Sequence, residues 1–168
     1  MKTLIISRHG KAAQATENQP DLLRELASRG QKDARVIAQE LIRKDIVPGL
    51  ILSSPAIRSV QTARYLAKYL EISYSAVVTR DVLYGNFTTD LFSYIESLCP
   101  EEKVVQIVGH YPSLLLVVEF LTGLVLERYP TLATLVLDFD VNNWNELVEK
   151  KGTVRKLLIP KELKYSGI

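Results

Sequence analysis

Residues 104–113 read Val104-Val105-Gln106-Ile107-Val108-Gly109-His110-Tyr111-Pro112-Ser113. The first five form the most strand-like run in the chain, and Gly109 ends it. Pro112 leads into Ser113 to Leu124, which reads as a helix. The local order is therefore strand, polar loop, helix. The same order recurs upstream. Leu4 to Ser7 is a short apolar run before a glycine and reads as a buried strand. Asp21 to Asp45 carries Val36, Ile37, Leu41 and Ile42 at helical spacing, with Ser28 or Asp33 near its first turn, and stops before Pro48-Gly49. Leu50 to Ser53 is a second strand. Ser54 and Pro55 then read as a serine N-cap with proline at the first helical position, opening a helix to about Leu70 that breaks near Glu71. Val77 to Thr79 is a third strand, and the glycine-containing stretch Asp81 to Asp90 leads into a helix through Leu98.

This alternation predicts an α/β three-layer sandwich, with a mainly parallel central sheet and helices on both faces. The last third changes character. Thr134 to Val141 and Val154 to Ile159 are strand candidates joined through a turn at Asn142-Asn143, which predicts an antiparallel pair near the C-terminus. The tail from Pro160 is expected to be loosely held. With 168 residues, 47% of them apolar, and no repeat or linker, residues 1–168 are expected to form a single domain.

Charge and composition exclude several classes. There are 21 cationic and 19 anionic side chains, a formal net charge of +2, which argues against a nucleic-acid partner. The single cysteine, Cys99, rules out an intramolecular disulfide and a zinc site built from several thiols, and reads as a helix-end or core residue. The apolar run at Leu4 to Ile6 is too short for a signal peptide. Leu114 to Leu126 is interrupted by Glu119 and too short to span a bilayer. No membrane partner is expected, and the cytoplasm is the expected location. Gly10-Lys11 is not a P-loop, because the glycine required five positions earlier is Ile5 and no Ser or Thr follows the lysine. Lys11 is read as adding positive potential near the pocket mouth. Trp144 is expected to pack. Tyr65, Leu66 and Tyr69, at helical spacing, are expected to cover core or surface.

In open α/β sheets, ligands bind outside the carboxyl ends of the strands. Three polar clusters fall there: Ser7-Arg8-His9-Gly10, Ser53-Ser54-Pro55-Ala56-Ile57-Arg58 and Gly109-His110-Tyr111-Pro112-Ser113. The chain has two histidines, and both lie in these loops. Any one of these residues alone would ordinarily be a solvated or hydrogen-bonding side chain. Together they suit phosphoryl transfer. A neutral imidazole attacks phosphorus to give a covalent phosphohistidine. Arginine presents a planar fork of donors matched to phosphate oxygens. Two such forks and a second histidine offset charge on the equatorial oxygens of the transition state, and a helix N-terminus adds backbone donors. No metal or cofactor is required.

At these residues the sequence resembles the histidine phosphatase superfamily, in the branch that includes the phosphoglycerate mutases. The marks are Arg8-His9-Gly10 after the first strand, Ser53-Ser54-Pro55 with Arg58 and Gln61-Thr62-Ala63, and Val108-Gly109-His110-Tyr111-Pro112-Ser113. Their order and spacing match across roughly residues 1 to 125. The short length, without large insertions, is most similar to the SixA-type phosphohistidine phosphatases. The resemblance implies a phosphoglycerate mutase-like fold and a metal-independent phosphatase. It implies that His9 is the phosphorylated nucleophile, that Arg8 and Arg58 bind the phosphoryl group, and that His110 contacts it from the opposite side. Gly10 is expected to let the backbone turn tightly beside His9, fixing the ring through its other nitrogen.

One departure bears on the substrate. Many enzymes of this family carry a glutamate before the middle helix as general acid. Here that region reads Thr79-Arg80-Asp81-Val82-Leu83-Tyr84-Gly85-Asn86, with no glutamate. Asp81 is the nearest carboxylate candidate. An alkoxide leaving group needs a proton from a positioned acid, whereas the imidazole of a phosphohistidine leaves more easily and can be protonated beforehand. The leading expectation is thus dephosphorylation of phosphohistidine on a phosphorelay or phosphotransfer protein in signal transduction. A phosphomonoesterase for a small phosphorylated metabolite is the alternative, and a non-catalytic phosphate-binding module is the alternative of another class.

Overall fold

The protein is described here from a computed structural model, which covers residues 1–85 and 88–165. Phe87 and Asn86, the last residue of the stretch lacking the glutamate, lie outside the described residues.

β1 (Lys2–Arg8) is sealed on both faces, as its unbroken apolar centre requires. Leu4 and Ile6 enter one core and Ile5 the other, following the two-residue period of a strand. The remaining elements are α1 (Ser28–Arg43), β2 (Leu50–Ser53), α2 (Ile57–Leu70), β3 (Val77–Thr79), α3 (Thr88–Glu96), β4 (Val104–Gly109), α4 (Ser113–Thr122), β5 (Thr134–Phe139), β6 (Thr153–Leu158) and α5 (Pro160–Tyr165). The six strands lie in the order β3-β2-β4-β1-β5-β6. β1, β2, β3 and β4 are mutually parallel, while β5 runs antiparallel to both β1 and β6. α1 and α2 cover one face through Ile37, Leu41, Ala63 and Leu66. α3 and α4 cover the other through Leu91, Ile95, Leu114 and Val117. The expected sandwich, with a mainly parallel sheet and an antiparallel C-terminal pair, is therefore present.

The register decides where the loops go. Arg8 stands opposite Gly109 and Ser53 opposite Val108, so β1, β4 and β2 end level with one another. The three polar loops thus emerge side by side.

Three expectations are corrected. The first concerns α1, which begins at Ser28 rather than Asp21, with residues 21–23 forming a short 3-10 turn. The carbonyls that a longer helix would need are engaged elsewhere: Arg24 accepts from the Arg58 amide at 3.1 Å and Glu25 from the Ala13 amide at 2.8 Å. The second is α2, which begins at Ile57. Ser54 is not its N-cap, because its hydroxyl faces His110 and accepts only the Ala56 amide, leaving Pro55 in the bend. The third is the tail from Pro160, which is held as α5: Lys164 Nζ donates to the buried Asp33 Oδ1 at 2.6 Å. Cys99 lies exposed just beyond α3. Trp144 is fully buried as packing, with its indole donating to the Glu102 carbonyl at 2.8 Å. Among the described residues no helix is long and apolar enough to cross a membrane.

Candidate active site

His9 follows directly on β1. Its backbone amide donates to the Gly109 carbonyl at 2.9 Å and its carbonyl accepts from Leu132 at 3.2 Å, so the residue is fixed between the β4 and β5 sides of the sheet. Its Nδ1 lies 2.8 Å from the Gly10 carbonyl. A carbonyl can only accept, so Nδ1 carries the proton and Nε2 keeps its lone pair. Arg58 Nε donates to that Nε2 at 3.3 Å.

Gly10 makes this arrangement possible by close approach. A Cβ there would meet Leu26 Cδ1 at 2.8 Å and the Gly30 backbone at 3.1 Å, so the loop after β1 rests directly on the start of α1. The expected tight turn is in this sense a packing requirement. The Gly10 amide donates to Thr62 Oγ1 at 3.0 Å, and that hydroxyl donates to the Arg58 carbonyl at 2.7 Å. Gln61 Oε1 accepts the Leu26 amide at 2.6 Å. Gln61 and Thr62, conspicuous in the sequence, thus lash the His9 and Asp21 loops to the first turns of α2.

Arg58 is buried and spans the site. Its Nη1 donates to the Asp21 carbonyl at 2.6 Å, its Nη2 to Asp21 Oδ2 at 2.7 Å, and Nη2 also lies 3.5 Å from His110 Nδ1. His110 Nε2 is 2.7 Å from Ser54 Oγ. The two imidazole centroids are 5.0 Å apart. The Tyr84 ring meets His110 edge-on at 5.4 Å. Arg8 completes the group from the other side. Its Nη1 donates to the Tyr129 carbonyl at 2.9 Å, and its guanidinium lies 5.6 Å from the Tyr111 ring centroid. Its buried Nε has no hydrogen-bond partner among the described residues.

Electrostatics keep both rings neutral. Burial lowers His9 to about 4, aided by the charges of Arg58 and Arg8 against the opposing pull of the Gly10 carbonyl and Asp21. Burial likewise lowers His110 to about 3, with His9 and Arg58 adding to the effect. At neutral pH the site therefore holds two uncharged imidazoles, two guanidinium cations and one carboxylate.

The structure brings Arg8, His9, Arg58 and His110 together. It does not bring Asp81 to them. That side chain is exposed on the 3-10 turn after β3, with no hydrogen bond or ion pair to any of the four. The carboxylate that reaches the group is Asp21, which sequence reasoning assigned to a helix. Asp21 is 37 residues from Arg58 in the chain, and no local spacing signals the pairing. Among the described residues, no group of three or more His, Cys, Asp or Glu is placed to hold a metal ion.

The sequence matches the profile of the histidine phosphatase superfamily (branch 1) over residues 4–90. No curated protein matches the chain. Among solved structures it is similar to a protein assigned as the phosphohistidine phosphatase SixA of Agrobacterium tumefaciens. The two are 26% identical, with a TM-score of 0.79 over 95% of this chain and 98% of that one. It shares the fold of the protein histidine phosphatase SixA complexed with tungstate, at 23% identity and a TM-score of 0.81 over 96% and 99% of the two chains. It shares the fold also of a mycobacterial glucosyl-3-phosphoglycerate phosphatase, at 16% identity and a TM-score of 0.67 over 92% and 97%.

Proposed function

Because the chain belongs to the histidine phosphatase superfamily, we propose that its phosphatase activity is directed at phosphohistidine on a protein, through a covalent intermediate on His9. Residues 1–168 are read as one catalytic domain, since a single sheet draws its strands from Lys2 to Leu158. The observation that carries the mechanism is the 2.8 Å contact between His9 Nδ1 and the Gly10 carbonyl, which leaves Nε2 unprotonated and facing Arg58.

In the first half-reaction Nε2 bonds to phosphorus as the substrate's N–P bond breaks. The bonding pair returns to the substrate imidazole, which leaves with a proton already on its ring. Arg8, Arg58 and His110 hold the phosphoryl oxygens, and the two guanidinium groups supply the positive charge that a metal would otherwise provide. In the second half water displaces His9 and inorganic phosphate leaves.

The nature of the nearby carboxylate supports an N–P substrate. Partial burial raises Asp21, but hydrogen bonds and charge from Arg58 and Arg24 more than offset this and hold it below the usual carboxylate range. It is ionised at neutral pH and has no proton to give an alkoxide. A protein substrate also suits the open rim, where Tyr84 and Tyr111 stand exposed beside His110 and Arg8.

The test is parallel hydrolysis of a phosphohistidine-containing protein and of a generic phosphate ester, with His9→Ala as control. The expected result is fast turnover of the first substrate, slow turnover of the second, and loss of both in the variant. The reverse preference would point to a small phosphomonoester. Phosphate binding without turnover of either substrate would point to a binding module.

A further inference from the structure

We propose that Asp21 is the carboxylate that orients the water hydrolysing phospho-His9 and accepts its proton. The inference rests on the His9 reading above and assigns the second half-reaction to a residue outside the three loops.

Three observations carry it. The first is position. Arg58 bridges His9 and Asp21, with Nε on the imidazole and both terminal nitrogens on Asp21. Asp21 therefore stands one guanidinium away from the nucleophile. Among the described residues it is the carboxylate in contact with the quartet. The second is access. The Arg58 side chain is 7% exposed and that of Asp21 53%, so the carboxylate lies on the solvent side of the cation and can be reached by water. The third is acceptor capacity. A carboxylate offers roughly four lone-pair directions. Among the described residues three side-chain groups use them: Arg24 on Oδ1, and Arg58 and, at 3.5 Å, the Tyr84 hydroxyl on Oδ2. Room remains for a water.

The step balances without a co-reactant. The water oxygen bonds to phosphorus as the Nε2–P bond breaks, and the bonding pair returns to Nε2. The water proton passes to Asp21, which later releases it to solvent. Ion pairing makes Asp21 a weak base, and a weak base suffices here. In a loose phosphoryl-transfer transition state the proton leaves the nucleophile late, so orientation is the larger contribution. The same ionised state explains why Asp21 serves the second half-reaction and gives no proton in the first.

The experiment separates the two halves. Purified protein is phosphorylated with radiolabelled phosphoramidate, a small N–P donor, and quenched in alkali, where phosphohistidine survives. Formation and decay of the phosphoenzyme are followed in the parent, Asp21→Asn, Asp21→Ser, Asp21→Glu and His9→Ala, with thermal unfolding confirming that each is folded. Both neutral variants should slow decay of the phosphoenzyme about 10²-fold and slow its formation by about tenfold less than that, the smaller loss reflecting the loosened Arg58. Asp21→Glu should recover part of the decay rate. Inorganic phosphate should inhibit the neutral variants at least as well as the parent, since a negative charge beside Arg58 is gone. Unchanged decay overturns the proposal. Equal loss of formation and decay, with weaker phosphate inhibition, also overturns it, because Asp21 would then merely hold Arg58. Absence of phosphoenzyme in the parent, or its persistence in His9→Ala, overturns the His9 reading itself and takes this proposal with it.

Discussion

The two sides of the pocket hold their cations in different ways. On the α2 side, Arg58 is clamped by the Asp21 carbonyl and carboxylate, and its charge is already compensated. On the β5 side, Arg8 is held by the neutral Tyr129 carbonyl, leans on the Tyr111 ring, and keeps a buried Nε with no partner among the described residues. A buried donor left unmet costs about 1–3 kcal/mol. On the proposed mechanism, Arg58 is pre-set for the transition state and Arg8 is the cation whose charge awaits the anion. Preorganisation and ground-state attraction would then be divided between two residues of identical chemistry by the neighbour each was given.

The strongest way to break that comparison is truncation. Arg58→Ala should lower kcat by about 10³-fold, and Arg8→Ala should act more on KM, with kcat/KM down about 10²-fold. Steady-state kinetics on a phosphohistidine substrate checks the split, and equal kcat losses would mean that the two sides do the same work. A gentler cut tests the Arg8 side alone. The Tyr129 hydroxyl donates to the Ile6 carbonyl at 2.5 Å and anchors the segment whose carbonyl holds Arg8. Tyr129→Phe should cost about 1 kcal/mol in denaturant unfolding and raise KM several-fold with kcat nearly unchanged. Loss of kcat instead would show that the anchor also sets Arg58.

The smallest effect concerns His9, which feels both cations. Its folded value, about 4, lies below the ordinary value of 6.5, with Arg58 contributing more than Arg8. Between those two pH values the unfolded chain binds a proton that the folded chain refuses. His9 therefore contributes to stability fully above the unfolded value, and that contribution is lost as pH falls toward about 4. The melting temperature of His9→Gln should decline less steeply than that of the parent across this window. Imidazole nitrogen shifts should show His9 titrating higher in Arg58→Ala than in Arg8→Ala. The opposite order would reverse the assignment of the dominant neighbour.

Much of this was legible from the chain. Short apolar runs ending in Gly or Ser marked β1, β2 and β4, because a strand sealed on both faces must be apolar throughout and must stop where a polar loop begins. Placing both histidines and two arginines at those ends was enough to propose the quartet. Asp21 was missed for a physical reason. Asp21 opened the segment read as helical from Val36, Ile37, Leu41 and Ile42, yet the carbonyls of Arg24 and Glu25 are taken by Arg58 and Ala13, contacts that only the folded chain supplies. Ser54 was misread in the same way: its preference for capping was sound, but His110 lay closer.

The sequence by itself determined the strand and helix order, the sheet class and the residues able to do the chemistry, because periodicity and side-chain type are properties of the chain. Only the tertiary structure decided which carboxylate faces Arg58, which ring nitrogen of His9 is free, and which arginine is already paired. Those are contacts between segments tens of residues apart, settled by strand register and by the close approach of Gly10 to Gly30.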